Sequence, residues 1–146
     1  MESLHYLLMK SHAMFSRRVL AEVSKIGLTS GQPKILDFLL QYPEADQKTI
    51  AAYCEIEQTT VGSILLRMEK AGLVQRRQKE GNRRSLYVSL TPEGKKAAGQ
   101  VMDIFRQVEE TATAGLSPEE ETVLRQLLDR VCNTLEASSV SGKVEV

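Results

Sequence analysis

The chain has 146 residues, and its 19 lysines and arginines balance its 19 aspartates and glutamates, so the formal net charge is zero. A chain of this length can bury a sufficient core without disulfide bonds. Because the net charge is zero, the total charge does not indicate a nucleic-acid partner. The two cysteines, Cys54 and Cys132, have neither disulfide-framework nor metal-motif spacing. No apolar run approaches the roughly 20 residues of a membrane span. We therefore expect a cytoplasmic protein with no signal peptide and no membrane contact.

The first predicted helix covers residues 2–26 and ends at Gly27. Its apolar residues recur at spacings of three, four or seven, which is typical of one helical stripe. The stripe comprises Leu4, Leu8, Phe15, Val19, Val23 and Ile26. Leu7, Met14 and Leu20 widen it beyond what one neighbouring helix would cover. We therefore expect this helix to pack both on its own domain and on a second subunit.

Two shorter helices are predicted next. Thr29 and Gln32 have the spacing of a capping box, which predicts that Thr29 caps the second helix. This helix ends at Tyr42 and Pro43, and its buried face comprises Ile35, Leu36, Leu39 and Leu40. Asp46 is placed to cap a third helix over residues 47–54.

A turn at residues 55–57 separates the third helix from a fourth, predicted over residues 58–71. Its inward-facing residues follow the 3.6-residue period and are Val61, Ile64, Leu65 and Met68. The opposite face carries Gln58, Thr59, Gly62, Ser63 and Arg67. Gly72 is the expected stop.

Two strands and two long helices complete the chain. The strands are predicted over residues 73–77 and 85–90, with a turn at residues 79–82. Period-two alternation predicts one buried strand face, formed by Leu86, Val88 and Leu90. Thr91 and Pro92 start the fifth helix, and Ser117 with Glu120 forms a capping box for the sixth. Residues 138–146 are expected to be a flexible tail.

The positive charge is concentrated in the middle of the chain. Residues 47–100 hold ten lysines and arginines against five acidic residues, whereas residues 101–146 hold four against nine. Residues 1–46 balance at five each. A basic segment on a neutral chain is typical of a surface that faces phosphates.

This basic segment has the order of a winged helix-turn-helix: helix, short turn, helix, then a β-hairpin tipped with arginine. Short polar side chains at the start of the fourth helix suit the major groove, and arginines in a hairpin suit a narrow minor groove. The candidate DNA-binding residues are Gln58, Thr59, Thr60, Ser63, Arg67, Arg76, Arg77, Arg83 and Arg84. Serine or threonine at a helix start is more often a plain cap, and an arginine-rich turn alone is usually a solvated loop. The succession of elements favours the DNA-binding interpretation.

The chain resembles the multiple-antibiotic-resistance repressor (MarR) family over nearly its whole length. The resemblance lies in Leu28-Thr29 with Gln32, in the stretch LLRMEKAG over residues 65–72, and in Leu73-Val74 with Arg76. Arg84, Val88, Leu90-Thr91 and Gly94 match the family's wing return and following helix. The wing reads Asn82-Arg83-Arg84 where the family usually has Asp-x-Arg, and Ser63 stands where many members carry arginine.

The resemblance implies a mainly α fold with a small β-wing and with N- and C-terminal dimerisation helices. It implies one domain over residues 1–137, with the winged helix at 28–94 and dimerisation helices at 1–26 and 95–137. The implied function is a homodimeric repressor that binds a pseudo-palindromic double-stranded operator and is released by a small aromatic or other effector. The candidate effector pocket comprises His12, Phe15, Phe38 and Met102.

Other classes of function are weaker alternatives. A winged helix can serve as a protein-interaction module without DNA, although a basic wing argues against that role. His5 and His12 lie about 10 Å apart along one helix, too far to share a metal without other ligands. Cys54 falls on an inward helix face, where a redox role is unusual. With no phosphate loop and no cluster of titratable residues in an apolar setting, we expect neither an enzyme nor a metal or other cofactor.

Overall fold

The computed structural model describes residues 1–79 and 81–144, except for the side chains of residues 82–85 and 140–144. Within this part of the chain, six helices and three strands follow one another. They are α1 (Leu4–Ser24), α2 (Gln32–Gln41), β1 (Ala45–Asp46), α3 (Gln47–Cys54), α4 (Gln58–Lys70), β2 (Val74–Lys79), β3 (Asn82–Leu90), α5 (Pro92–Ala112) and α6 (Pro118–Val144). The predicted fold class, mainly α with a small β-wing, is confirmed.

The chain divides into two compact units, residues 1–108 and residues 109–146. The first unit holds the described hydrophobic core, which α2, α3, α4 and the sheet build together with residues of α1 and α5. Its largest fully buried side chains include Ile35, Leu36, Leu39, Ile50, Leu65 and Met68. Full burial of each such side chain contributes about 1.5–3 kcal/mol, so this core is the main support of the helix-turn-helix.

Several predicted helix starts and faces are confirmed. The Asp46 carboxylate accepts a hydrogen bond from the Thr49 amide at 2.8 Å and caps α3. Ser117 and Glu120 form the reciprocal capping box of α6, with distances of 2.9 and 3.1 Å. The four residues predicted to face inward from α4 are its buried residues, namely Val61, Ile64, Leu65 and Met68.

The start of α2 differs from the prediction. The capping residue is Gly31, at φ 88°, and no side chain caps the helix. Only the return half of the predicted box forms, in which the Thr29 amide donates to Gln32 Oε1 at 3.0 Å. Gly31 turns the chain in the left-handed region that favours glycine, so the Thr29 side chain is not the cap.

The sheet contains a strand that the sequence pattern did not predict. Its order is β1-β3-β2, and both pairs are antiparallel. Ala45 pairs with Val88 and Asp46 with Tyr87, so the short β1 ties the start of α3 to the wing. Val88 and Leu90 are buried as predicted, but Leu86 is 44% exposed, which corrects its expected burial. Lys79 and Asn82, predicted to lie in the hairpin turn, are instead paired strand residues, because the strands extend further than predicted. Glu80 of that turn lies outside the described residues.

The wing and α5 are joined by a network around Thr91. The Thr91 hydroxyl donates to the Gly72 carbonyl at 2.6 Å and accepts from the Gly94 amide at 3.0 Å. The Thr91 amide also donates to the Leu73 carbonyl at 3.1 Å. The end of β3, the turn after α4 and the first turn of α5 are therefore held together at one point.

Each unit carries an apolar surface that the chain itself leaves exposed. In α1 the described buried residues are Val19 and Val23, whereas Leu4, Leu7, Met9 and Met14 are about half exposed or more. In α6 the exposed apolar side chains are Val123, Leu124, Leu127, Leu128, Val131 and Leu135. Helical backbone continues to Val144, so α6 includes residues 138–144 of the predicted flexible tail. None of the helices described is both long and apolar enough to cross a bilayer.

Candidate nucleic-acid interface

The α3 and α4 helices form a helix-turn-helix with a tight connection. Glu55, in the turn, has a φ of 55°, which lets the chain reverse within three residues. The Gln47 side-chain amide donates to the Gln58 carbonyl at 2.8 Å across the turn. A Cβ on Gly62 would lie 3.0 Å from Gln47 Nε2, so glycine lets this amide pass between the helices. The two helices are thus held in register at the start of α4.

The outer face of α4 presents short polar side chains to solvent. Gln58, Thr59, Thr60, Ser63 and Arg67 are all exposed, and the Ser63 hydroxyl donates to the Thr59 carbonyl at 3.4 Å. Within the described residues, the side chains of Thr59, Thr60 and Arg67 have no hydrogen bond or ion pair. This row offers hydroxyl, amide and guanidinium groups of the kinds that bind base edges and phosphates in a major groove.

The basic residues of β2 lie on two different faces of the sheet, because side chains alternate along a strand. Val74 and Arg76 point to the inner face, whereas Gln75 and Arg77 point outward. The Arg76 side chain is only 18% exposed, and its Nε lies 3.8 Å from Glu69 Oε2 of α4. This Nε is a buried polar atom for which the described residues supply no hydrogen bond. Arg76 therefore braces the wing against α4.

The outward basic residues of β2 are held by one carboxylate. Arg77 donates to both oxygens of Glu44, with Nε at 3.2 Å and a terminal nitrogen at 3.5 Å. Lys79 Nζ lies 3.9 Å from the same carboxylate and 4.5 Å from the centre of the Tyr87 ring. The hydrogen bond from Arg77 holds the pKa of Glu44 below its ordinary value. Sequence spacing gave no sign of Glu44, which precedes β1 and lies far from Arg77 along the chain.

The side chains of Arg83 and Arg84 lie outside the described residues. Their backbone belongs to β3, which pairs with β2 up to Lys79 and Asn82. Both arginines therefore belong to the hairpin predicted to carry them, and their contacts remain a prediction.

A cavity of about 550 Å³ lies between α1, the start of α2 and α5 within the first unit. His12 and Phe15, two of the predicted effector-pocket residues, line it together with Arg17, Lys34 and Phe105. The other two predicted residues are elsewhere. Phe38 is buried against Tyr42 and Tyr53, with ring centres 5.0 and 4.8 Å away, and Met102 is 39% exposed and is not part of the lining.

The two cysteines have different environments. Cys54 is buried, and its thiol donates weakly to the Lys34 carbonyl at 3.6 Å, whereas Cys132 is exposed. Burial raises the pKa of the Cys54 thiol to about 11. The described residues contain no group of three or more histidines, cysteines or acidic residues arranged to hold a metal ion.

We expect Cys132 to react with a thiol reagent at pH 8 long before Cys54. At that pH a thiol with this pKa is ionised in only about one molecule in a thousand, and the thiolate is the reactive form. Ellman titration of the native protein should yield one fast thiol, and Cys132→Ser should remove it. Rapid labelling in the Cys132→Ser variant would mean that Cys54 is accessible and activated.

The sequence of this chain is similar to those of known proteins. The MarR family model matches residues 28–86, which contain the helix-turn-helix and most of the wing. The chain is 30% identical over 107 residues to the transcriptional regulator HosA of Escherichia coli, covering 73% of this chain and 79% of that protein.

Solved structures share the fold. The mutant MarR of Escherichia coli complexed with operator DNA is 20% identical, covers 88% of this chain and 92% of its own, and gives a TM-score of 0.80. A Mycobacterium tuberculosis MarR family protein in complex with salicylic acid is 25% identical, covers 90% and 97%, and gives a TM-score of 0.72.

Proposed function

This chain belongs to the MarR family of transcriptional regulators, and from that premise we propose that it is a homodimeric repressor that binds a pseudo-palindromic operator. Members of this family are DNA-binding regulators and not enzymes. We further propose that the protein works in the cytoplasm, where it would meet its operator.

The observation that carries the proposal is the division of α4 into two faces. Val61, Ile64, Leu65 and Met68 are buried, so the helix cannot rotate without exposing its core residues. The opposite row, from Gln58 to Arg67, is exposed and polar. A helix fixed in this way can enter a major groove with a defined set of side chains.

In the proposed complex the two α4 helices of a dimer enter successive major grooves, about 34 Å apart. Arg84 of each wing reaches the flanking minor groove, where negative potential is strongest. The exposed apolar faces of α1 and α6 support the dimer, because large apolar surfaces on a soluble chain mark interaction sites.

We also propose that the cavity beside His12 and Phe15 binds an aromatic acid. Phe15 and Phe105 supply apolar walls, and Arg17 and Lys34 supply the positive charge that a carboxylate requires. The salicylic acid complex of the mycobacterial relative supports this class of ligand. Because α1 lines the cavity, an effector there would change how the helix sits against the start of α2.

The test is fluorescence anisotropy with a labelled duplex from the gene's own upstream region, beside a scrambled duplex of equal length. We expect tight binding to the native duplex with a steep salt dependence, and displacement by salicylate. Arg84→Ala should weaken binding and reduce the log–log salt slope by about one unit. A slope unchanged by that substitution would contradict the wing's role. Equal, weak binding to both duplexes across several upstream regions would favour a protein-interaction module.

A further inference from the structure

Glu44 lies where it can compete with DNA for two cations of the wing. We propose that its carboxylate is an internal substitute for a DNA phosphate, which holds Arg77 and Lys79 in the free protein and on non-specific DNA, and releases them to the backbone when the protein binds its operator. This inference rests on the proposed DNA-binding function. It makes Glu44 a positioning residue that sets how many wing cations contribute to binding.

The geometry matches that of a phosphate site. Arg77 approaches Glu44 through two nitrogens, one to each carboxylate oxygen, at 3.2 and 3.5 Å. This two-point arrangement is the one that guanidinium groups also adopt with phosphate. Lys79 adds a second cation at 3.9 Å from the same carboxylate. Two positive charges therefore converge on one anion.

The carboxylate is more buried than the two cations that contact it. Glu44 immediately precedes β1, whose pairing with β3 anchors the backbone at Ala45. Its side chain is 24% exposed, whereas the side chains of Arg77 and Lys79 are 67% and 51% exposed. The cations can therefore turn from Glu44 to solvent or to a phosphate without any movement of the sheet.

The contacts with Glu44 orient Arg77 and Lys79, and they are weak enough for a phosphate to replace them. Exposed ion pairs contribute little to stability because water screens them and the side chains lose freedom. The Tyr87 ring, whose centre lies 4.5 Å from Lys79 Nζ, makes a second favourable contact with that ammonium group through a cation–π interaction. In the free protein these contacts reduce the positive charge of the wing, so non-specific DNA meets fewer available cations.

The test compares four proteins: wild type, Glu44→Gln, Arg77→Gln with Lys79→Gln, and the triple variant. The probe is a labelled duplex of scrambled sequence, titrated from about 50 to 200 mM salt, because non-specific binding depends on phosphate contacts. We expect Glu44→Gln to tighten binding about fivefold or more near 0.1 M salt. The log–log slope should steepen by about 0.9 for each added phosphate contact. The triple variant should bind like the Arg77→Gln/Lys79→Gln protein.

A matched control separates exchange from simple loss of negative charge. Glu55→Gln removes an exposed carboxylate from the turn before α4 and should leave the salt slope unchanged. The proposal is overturned if Glu44→Gln has no effect on affinity or slope. It is also overturned if Glu44→Gln tightens binding equally in the Arg77→Gln/Lys79→Gln background. Failure of every variant, wild type included, to bind any duplex would instead overturn the proposed function, and this inference with it.

An independent measurement reports on the contact without DNA. The pKa of the Glu44 carboxyl, measured by following its NMR resonance as a function of pH, should lie below the ordinary range for glutamate in the wild type. In the Arg77→Gln/Lys79→Gln protein it should return toward that range. An identical titration in both proteins would show that the cations do not hold this carboxylate in solution.

Discussion

Replacing Gly94 by alanine should destabilise the protein by about 3 kcal/mol, at the upper end of what overpacking by one methyl group costs. The added Cβ would overlap the Leu73 carbonyl oxygen and would lie 3.3 Å from Leu90 Cδ2. Neither the wing base nor the first turn of α5 can move away freely, because Thr91 bonds to Gly72, Leu73 and Gly94. Urea unfolding followed by circular dichroism measures the loss.

A second glycine of the same helix provides the control. A Cβ on Gly99 would meet nothing within 4 Å, so Gly99→Ala should stabilise the protein by about 0.5–1 kcal/mol through helix propensity. Opposite signs for the two substitutions would locate the effect in the contact with Leu73. If both substitutions were stabilising, the close approach between α5 and the turn after α4 would be wrong.

Placing a charge on the apolar face of α6 should separate the proposed dimer and abolish tight operator binding. Leu127 is 49% exposed in the single chain and lies in a stripe with Leu124 and Val131. In a twofold-symmetric interface each substitution occurs twice, and burial of one leucine contributes about 1.5–3 kcal/mol. Leu127→Lys should therefore weaken dimerisation by at least about 100-fold. Operator affinity should fall with it, because one half-site alone would be held.

Light scattering after size exclusion, together with anisotropy on the operator duplex, measures both effects. Asn133→Lys adds the same charge to the opposite side of α6, and it should leave the dimer and its affinity intact. If Leu127→Lys remained dimeric and bound normally, the interface would have to lie on other surfaces.

Most of the helices were predictable because they carry strong local signals. The buried face of α4 follows from four apolar residues at helical spacing, and Asp46 and Ser117 are recognisable caps. The start of α2 was not predictable in the same way. Thr29 and Gln32 have capping-box spacing, but the left-handed turn at Gly31 lies between them and takes the capping position.

The sheet shows what local patterns cannot reveal. A strand of two residues, such as β1, has no periodicity, and its pairing with β3 depends on the tertiary fold. Alternation correctly predicts that Leu86 shares a face with Val88, yet it says nothing about what covers that face, and Leu86 is exposed. The pairing of Arg77 with Glu44 was invisible for the same reason, because only the sheet brings these residues together. The candidate base-contacting row of α4 was therefore predictable, whereas the division of the wing cations was not.

The β1–β3 pairing limits how the helix-turn-helix can be transplanted into another protein. Ala45 and Asp46 precede the helix-turn-helix, whereas Val88 and Tyr87 follow it, so these hydrogen bonds close a loop around the whole motif. A graft that carried only residues 47–70 would leave that loop open and would lose the anchor at both ends. A transferable block also needs α2, whose buried residues complete the core beneath α3 and α4, so it extends from Gln32 through Gly94. Operator specificity should be exchanged between relatives as that block.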